Sequence, residues 1–154
     1  MRILVVCLGN ICRSPIAEGL LRYKAKGYGL NWEIASAGTE SYHIGEPPHK
    51  YSQKVCLENG VDISMQRARK FTVADFELYD KIYAMADDVY KAIQQLCGSK
   101  TDYSKLELFL NELMPGSNAS VPDPWYGEEK GYKPVFDLIN KGCDAIVFKY
   151  GRKQ

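Results

Sequence analysis

Residues 7–14, with the sequence CLGNICRS, combine a cysteine, an arginine and a hydroxyl at a spacing that suits phosphate chemistry. Five residues separate Cys7 from Arg13, and Ser14 follows directly. The apolar run at residues 3–6 predicts a buried strand, and the amphipathic stretch from Pro15 onward predicts a helix. We therefore expect Cys7 where a strand ends and a helix is about to begin.

A loop in that position is suited to holding a tetrahedral oxyanion. The first turn of a helix leaves backbone N–H groups unpaired and carries the positive end of the helix dipole. Gly9 and Asn10 readily take unusual backbone angles, so the loop amides can turn inward as an anion nest. Arg13 adds a planar fork of donors that matches two phosphate oxygens. The residues expected to bind phosphate beside Arg13 are Leu8, Gly9, Asn10, Ile11, Cys12 and Ser14.

Cys7 in this setting is a candidate nucleophile toward phosphorus. A helix N-terminus and a nearby guanidinium favour the thiolate form of a cysteine. The Ser14 hydroxyl can donate to that thiolate and later stabilise it as a leaving group. The competing Walker loop ends in Gly-Lys-Ser/Thr, and no lysine stands at that position here. The spacing by itself still leaves open an inert buried cysteine beside a solvated arginine.

A second segment, residues 121–127 with the sequence VPDPWYG, strengthens the catalytic interpretation. Asp123 lies between two prolines, which fix the loop and limit the entropy lost in holding the carboxyl group. A carboxylic acid in an apolar cleft can protonate a departing aryl oxygen and then take a proton from the attacking water. Trp125 and Tyr126 offer flat walls for an aromatic leaving group, with loop packing as the alternative. This chemistry requires no metal and no cofactor.

Residues 6–18 and 123–126 together resemble the low-molecular-weight protein tyrosine phosphatases. The resemblance runs nearly end to end and includes the sequence SAGT at residues 36–39. It implies a protein tyrosine phosphatase that forms a cysteinyl-phosphate. The roles it implies are nucleophile for Cys7, transition-state clamp for Arg13, general acid and base for Asp123, and thiolate partner for Ser14.

The same resemblance implies roles for residues around the loop. Asn10, Ser14 and Ser36 would brace the loop by hydrogen bonds. Tyr42 would join Trp125 and Tyr126 around the mouth of the cleft, with core or surface packing as the alternative for Tyr42.

The chain departs from the family pattern at two places. Gln66 stands where many members have a histidine that supports the loop network, and a glutamine does not titrate. Residues 85–87, Met-Ala-Asp, replace a frequent Met-Asp pair. The departures concern the surroundings of the loop and leave its own residues unchanged, so we expect the rate and pH profile to differ from relatives.

The remaining cysteines bear on redox chemistry and on the alternatives. By resemblance, Cys12 can form a disulfide with Cys7 that shelters the nucleophile from irreversible oxidation. Thioredoxin-coupled arsenate reductases share the loop and fold but relay oxidation through a further close cysteine pair, and Cys97 has no such neighbour in sequence. The absence of a C-x-x-C pair also argues against zinc. A non-catalytic phosphate-binding module is the other alternative, which would not need Asp123.

The order of apolar segments predicts an α/β fold. Strands are expected at residues 3–6, 33–36, 81–86 and 106–110, and helices at residues 15–26, 51–59, 73–78, 89–97 and 136–150. The result is a doubly wound sheet of four parallel strands with helices on both faces and the phosphate loop after strand 1. Ligands of such sheets bind at the carboxyl ends of the strands, where Cys7 is expected.

Composition and charge agree with one compact enzyme domain over residues 1–154. The chain is 45% apolar and 25% charged, which is ordinary for a globular protein. A net charge of +1 gives no broad field for nucleic acid or membrane, and the basic run at residues 66–70 is interpreted as a solvated face. The N-terminal apolar run is too short for a signal peptide, and no stretch approaches transmembrane length.

The cysteine content indicates the cellular compartment in which we expect the protein. Five cysteines, an odd number that includes a nucleophile, fit a reducing compartment, so we expect a cytoplasmic monomer. Its expected partners are phosphotyrosyl proteins or small aryl phosphates as substrates, and phosphate or another oxyanion as product or inhibitor.

Overall fold

The fold is organised around a sheet of four strands that run parallel to one another. The computed structural model describes residues 1–152. The strands are β1 (Arg2–Cys7), β2 (Glu33–Gly38), β3 (Lys81–Ala84) and β4 (Leu106–Leu108), arranged in the order β2-β1-β3-β4. Every pair of neighbours is parallel. The predicted four-stranded parallel sheet is confirmed.

Within residues 1–152, five α-helices connect and cover the strands, with short 3₁₀ turns between them. Pro15 lies in the first turn of the first helix, where its missing N–H leaves no bond unmade. The helices are α1 (Arg13–Gly27), α2 (Lys50–Leu57), α3 (Asp75–Leu78), α4 (Asp87–Cys97) and α5 (Tyr132–Gly151). The 3₁₀ turns are Tyr103–Lys105, Phe109–Glu112, Pro124–Tyr126 and Glu129–Gly131.

The helices lie on both faces of the sheet, as the sequence predicted. Alternate side chains of a strand point to opposite faces. Ile3 and Val5 of β1 pack into a core with α1 and α5, whereas Leu4 and Val6 pack into a second core with α3 and α4. All four are fully buried. The central strand that carries Cys7 is therefore fixed by apolar packing on both sides, as is typical of parallel sheets.

Most predicted boundaries shift by one to four residues, and two of the shifts, at the ends of β3 and β4, have a structural reason. Strand β4 ends at Leu108, and Leu110 lies in a 3₁₀ turn although it is only 1% exposed. The alternation of leucines indicated which side chains are buried, and a side chain in a 3₁₀ turn can be buried as well as one in a strand. Strand β3 ends at Ala84, and Met85 then donates its N–H to Val6 while its carbonyl accepts from Val121. The chain before Asp123 is thereby tied to the carboxyl edge of the sheet.

The basic run at residues 66–70 is more than the solvated face predicted for it. Gly38 donates its N–H to the Arg69 carbonyl, and a parallel bridge joins Gly38 to Lys70. The Arg69 guanidinium forms an ion pair with Asp75, whose side chain is buried. A buried carboxylate needs such a partner, which explains why part of this basic run is used inside the fold.

No helix in residues 1–152 has the length and apolar character required to cross a bilayer.

Candidate active site

The chain between β1 and α1 forms a loop whose carbonyls are held from outside. The carbonyls of Leu8 and Ile11 accept from the N–H groups of Glu40 and His49, and the Cys12 carbonyl accepts from a serine hydroxyl of α2. Within residues 1–152, no protein group accepts a hydrogen bond from the backbone N–H groups of residues 8–12. Free donors beside a helix N-terminus form an anion-binding site.

The backbone of the loop explains two residue choices. Asn10 has φ of 59°, in the left-handed region that asparagine tolerates better than most residues. Gly9 does not take a positive φ, contrary to one reason given for it above. Glycine instead leaves room for a neighbouring side chain, because a Cβ on Gly9 would lie 3.1 Å from Cδ2 of His43. A Cβ on Gly38, which pairs with Cys7 in the sheet register, would lie 2.8 Å from the Leu8 carbonyl oxygen.

Cys7 lies at the end of β1 and contacts the hydroxyl of Ser14. Its Sγ is 3.0 Å from Ser14 Oγ, and the residue is only 2% exposed. Asn10 Nδ2 donates to Ser14 Oγ at 2.8 Å and to Ser36 Oγ at 2.9 Å. Since Ser14 Oγ already accepts from Asn10, its hydrogen is free for Cys7 Sγ. The sequence-predicted group of Cys7, Asn10, Ser14 and Ser36 is thus brought together in one network.

Arg13 and Asp123 meet beside the loop although 110 residues separate them in sequence. Arg13 Nη1 donates to the Val121 carbonyl at 3.0 Å, and Nη2 lies 3.5 Å from Asp123 Oδ2. The Arg13 side chain is 4% exposed, and its Nε is buried with no partner in residues 1–152. Asp123 Oδ1 accepts from the Trp125 N–H, which begins the 3₁₀ turn after it. An unpaired buried guanidinium donor is costly unless a ligand completes it.

A cleft of about 170 Å³ opens over these groups. Tyr42 and Tyr126 are exposed at its mouth, and Trp125 is 44% exposed. The residues that line the cleft are Cys7, Leu8, Gly9, Ile11, Cys12, Arg13, Tyr42, His43, Asp123, Trp125 and Tyr126. All of them except His43 were predicted from the sequence. A larger cavity of about 750 Å³ beside α5 is lined by no cysteine, so size alone does not locate the chemistry.

Glu18 is a residue of the loop network that the sequence analysis missed. Its Oε1 accepts from Ser36 Oγ at 2.7 Å, so it is joined through Ser36 and Asn10 to Ser14. Burial raises the pKa of the Glu18 carboxyl above its usual 4.5, an effect opposed by the Ser36 hydrogen bond and by Arg22. Ser14 and Glu18 are four residues apart on α1 and share one face. That spacing was the signal that could have identified Glu18.

We expect Glu18→Gln to change how stability depends on pH. Because the folded-state pKa of Glu18 is raised, its contribution to stability is fully present below about pH 4.5 and is lost as the pH rises through the folded value. Gln keeps an oxygen for Ser36 but does not titrate. Wild type should therefore lose free energy of unfolding relative to the variant as the pH rises above about 4.5, measured by urea denaturation.

A matched control is Glu58→Gln, which changes an exposed carboxylate after α2. This control measures the effect of removing a carboxylate that takes no part in the loop network. A constant difference between wild type and the Glu18 variant would contradict the linkage.

Gln66 lies next to this network. Its Nε2 donates to the Pro15 carbonyl at 3.1 Å, and its Oε1 is buried without a partner in residues 1–152. The side chain braces the first turn of α1 without adding a titrating group near Glu18.

Cys12 is buried on the helical side of the loop. Its Sγ lies 3.5 Å from the hydroxyl of Tyr132, the first residue of α5. Burial raises the pKa of the Cys12 thiol to about 12. The five cysteines are free thiols, and residues 1–152 contain no cluster of three His, Cys, Asp or Glu side chains able to hold a metal ion.

Comparison with known proteins identifies the family. The family described as low molecular weight phosphotyrosine protein phosphatase matches residues 2–154. YfkJ of Bacillus subtilis, a low molecular weight protein-tyrosine-phosphatase, is 35% identical over 94% of this chain and 92% of its own. The human low molecular weight phosphotyrosine protein phosphatase is 34% identical over 96% of this chain and 94% of its own.

Solved structures agree with the sequence relatives. The crystal structure of YfkJ matches with a TM-score of 0.92 and 32% identity, covering 100% of this chain and 96% of YfkJ. A protein tyrosine phosphatase from Entamoeba histolytica, with Hepes in its active site, matches with a TM-score of 0.90 and 33% identity, covering 99% and 98% of the two chains. The resemblance and the fold predicted from sequence are confirmed, and the arsenate reductase alternative is not favoured. The chain belongs to the low molecular weight phosphotyrosine protein phosphatase family.

Proposed function

We propose that this protein hydrolyses phosphotyrosyl and small aryl phosphate monoesters through a phosphate ester of Cys7. One observation carries the proposal. The Cys7 thiol, the Arg13 guanidinium with its unpaired Nε and the Asp123 carboxyl line the same cleft, next to a loop of free amides. The nucleophile, the anion donors and the acid thus face one small volume.

In the first half-reaction, the Cys7 thiolate attacks phosphorus and the bond to the aryl oxygen breaks. Asp123 gives its proton to that oxygen, so that the leaving group departs as a neutral phenol. The loop amides and Arg13 hold the three remaining oxygens as negative charge redistributes over them. The enzyme is left as a cysteinyl-phosphate with an ionised Asp123.

In the second half-reaction, water attacks the cysteinyl-phosphate. Asp123 takes a proton from that water, the phosphorus–sulfur bond breaks, and phosphate is released. The Ser14 hydroxyl, 3.0 Å from Cys7 Sγ, donates to the departing thiolate. Both half-reactions balance without a metal ion or a cofactor.

The walls of the cleft support an aromatic leaving group. Ile11 is apolar and nearly buried at the base, while Tyr42, Trp125 and Tyr126 stand around the mouth. Flat apolar surfaces favour a ring over an alkyl phosphate. The proposal takes residues 1–154 as one phosphatase domain that acts as a cytoplasmic monomer.

The test is hydrolysis of para-nitrophenyl phosphate and of a phosphotyrosyl peptide with EDTA present, run in parallel with thioredoxin-coupled reduction of arsenate. We expect turnover of both phosphates and no arsenate reduction. Arsenate reduction with little phosphate release would replace the proposal by a reductase. Inactivity in both assays, with phosphate still bound, would replace it by a binding module.

We also propose that Cys12 protects Cys7 against oxidation. Peroxide converts the Cys7 thiolate to a sulfenic acid, and the Cys12 sulfur then displaces water to form a disulfide. Because the thiolate is the attacking form and burial raises the Cys12 pKa to about 12, disulfide closure should accelerate as the pH rises from about 7 to about 9.

The measurement is activity recovered by a thiol after a peroxide pulse, with the Cys7–Cys12 bond identified by peptide mass spectrometry. Cys12→Ser should lose activity irreversibly under the same pulse. Full recovery of that variant would remove Cys12 from the protective step.

A further inference from the structure

His43 lines the cleft, and the proposed reaction gives it no role. Its ring lies against the phosphate loop, since a Cβ on Gly9 would be 3.1 Å from its Cδ2 and 3.9 Å from its Nε2. On its other side the ring contacts Trp125, with centroids 5.5 Å apart. His43 therefore fills the space between the loop and the aromatic wall.

The orientation of the His43 ring is fixed by Glu46. The Nδ1 atom lies 2.8 Å from Glu46 Oε2, and the Glu46 N–H closes the turn onto the His43 carbonyl. The turn is held in place from outside by Gly45, which donates to the Ala68 carbonyl, and by Ala68, which donates to the Glu46 carbonyl. Hydrogen bonds to the turn and to the Glu46 side chain therefore hold the imidazole in position.

This support leaves one nitrogen for a ligand. With Glu46 accepting from Nδ1, a second proton on the ring resides on Nε2 and turns that atom into a donor. Within residues 1–152, Nε2 has no hydrogen-bond partner. The other histidine, His49, uses its Nδ1 to accept from the Tyr51 N–H at the start of α2.

Two negative groups flank the His43 ring when substrate is bound. Glu46 lies on one side of the ring, and a phosphate in the loop adds negative charge beside Gly9. The ionisable groups that line the same cleft are Cys7, Cys12, Arg13, Asp123 and two tyrosines. Among these Arg13 is the opposing cation, but its guanidinium is directed to Val121 and to Asp123. A His43 ring that carries both protons presents an unpaired charged donor at the cleft mouth.

We propose that His43 is a specificity-determining residue that binds a substrate carboxylate next to the phosphotyrosine. The inference rests on the proposed function and names the sequence context that the enzyme prefers. A carboxylate is the acceptor that a charged imidazole N–H binds most strongly. Glu46 holds the opposite nitrogen, so it orients the ring without occupying the binding atom.

The experiment measures kcat/KM for phosphotyrosyl peptides that differ only in the residue next to phosphotyrosine. Glu, Ala or Lys is placed before it in one series and after it in the other. In one of the two series, kcat/KM of the wild type at about pH 6 should be about fivefold to tenfold higher for the Glu peptide than for the Ala peptide. The Lys peptide should have the lowest kcat/KM.

Two variants separate a direct contact from general electrostatics. His43→Gln keeps a neutral amide near the position of Nε2 and should reduce the Glu/Ala ratio to within about twofold of unity. Arg67→Gln removes an exposed cation from the segment that pins the turn and should leave the ratio as in wild type. The ratio is independent of any loss of active enzyme.

Three results would overturn the inference. They are a wild type without preference in either series, a preference that persists in the His43 variant, and an equal loss in the Arg67 variant. A wild type that hydrolysed neither the peptides nor para-nitrophenyl phosphate would overturn the proposed function, and this inference with it. Hydrolysis without selectivity would overturn only the role of His43.

Discussion

Cys7→Ser is expected to reduce turnover of phosphotyrosyl substrates by on the order of 10⁴-fold or more, while phosphate binding remains. The serine hydroxyl is a far weaker nucleophile than a thiolate at neutral pH, but it leaves the amides of the loop and the guanidinium of Arg13 in place. Binding of inorganic phosphate by titration calorimetry and hydrolysis of a phosphotyrosyl peptide measure the two properties separately.

Arg13→Lys is the matched comparison, because it should lose both properties. A lysine ammonium is a point charge and cannot reproduce two parallel bonds to phosphate oxygens together with the bond to the Val121 carbonyl. If the Cys7 variant retained turnover, the nucleophile would have to be another group. If the Arg13 variant bound phosphate as tightly as wild type, the backbone amides alone would account for anion binding.

The contiguous part of the site was predictable because its geometry is local. Residues 7–14 run from the end of a strand through a five-residue loop into a helix, so the chain itself fixes where Cys7, Arg13 and Ser14 lie relative to one another. The resemblance supplied Ser36, whose partner Asn10 lies 26 positions earlier. The periodicity of apolar residues gives no indication of the contact between Asn10 and Ser36.

Glu18 and His43 were missed for different physical reasons. Glu18 lies one helical turn after Ser14 on the same face of α1, so its place beside the network follows from spacing already in the sequence. Its partner Ser36 comes from β2, however, and only the parallel pairing of β1 and β2 brings the two together. His43 depends on a turn whose fold is set by two bonds to Ala68, a contact between segments distant in sequence that no sequence pattern indicates.

Asp123→Asn is expected to have the second-largest effect, and the effect should depend on the leaving group. Release of an unactivated phenol from a phosphotyrosyl peptide should slow by roughly 10² to 10⁴-fold in a single turnover, because that oxygen needs a proton as it departs. Release of para-nitrophenolate should change by less than about tenfold, since that anion is stable without a proton. Equal losses for both substrates would reject Asp123 as the acid.

The Asn variant is a sharp test because it preserves the local structure. The Asn oxygen can still accept from the Trp125 N–H and so keep the start of the 3₁₀ turn. Thermal unfolding should therefore change little, and slower chemistry can be attributed to the lost proton donor. A large fall in Tm would instead point to a structural role for the carboxylate beside Arg13.

The second half-reaction provides an independent test of the role of Asp123 with the same variant. If Asp123 also takes the proton of the attacking water, its replacement by Asn should let para-nitrophenyl phosphate phosphorylate Cys7 faster than water removes the phosphoryl group. A burst of para-nitrophenolate equal to the enzyme concentration should then precede slow turnover, and quenched protein should carry one phosphoryl group on Cys7. A variant without a burst, and with no trapped phosphoryl group, would leave Asp123 as acid but not as base, because removal of the intermediate would not have become rate-limiting.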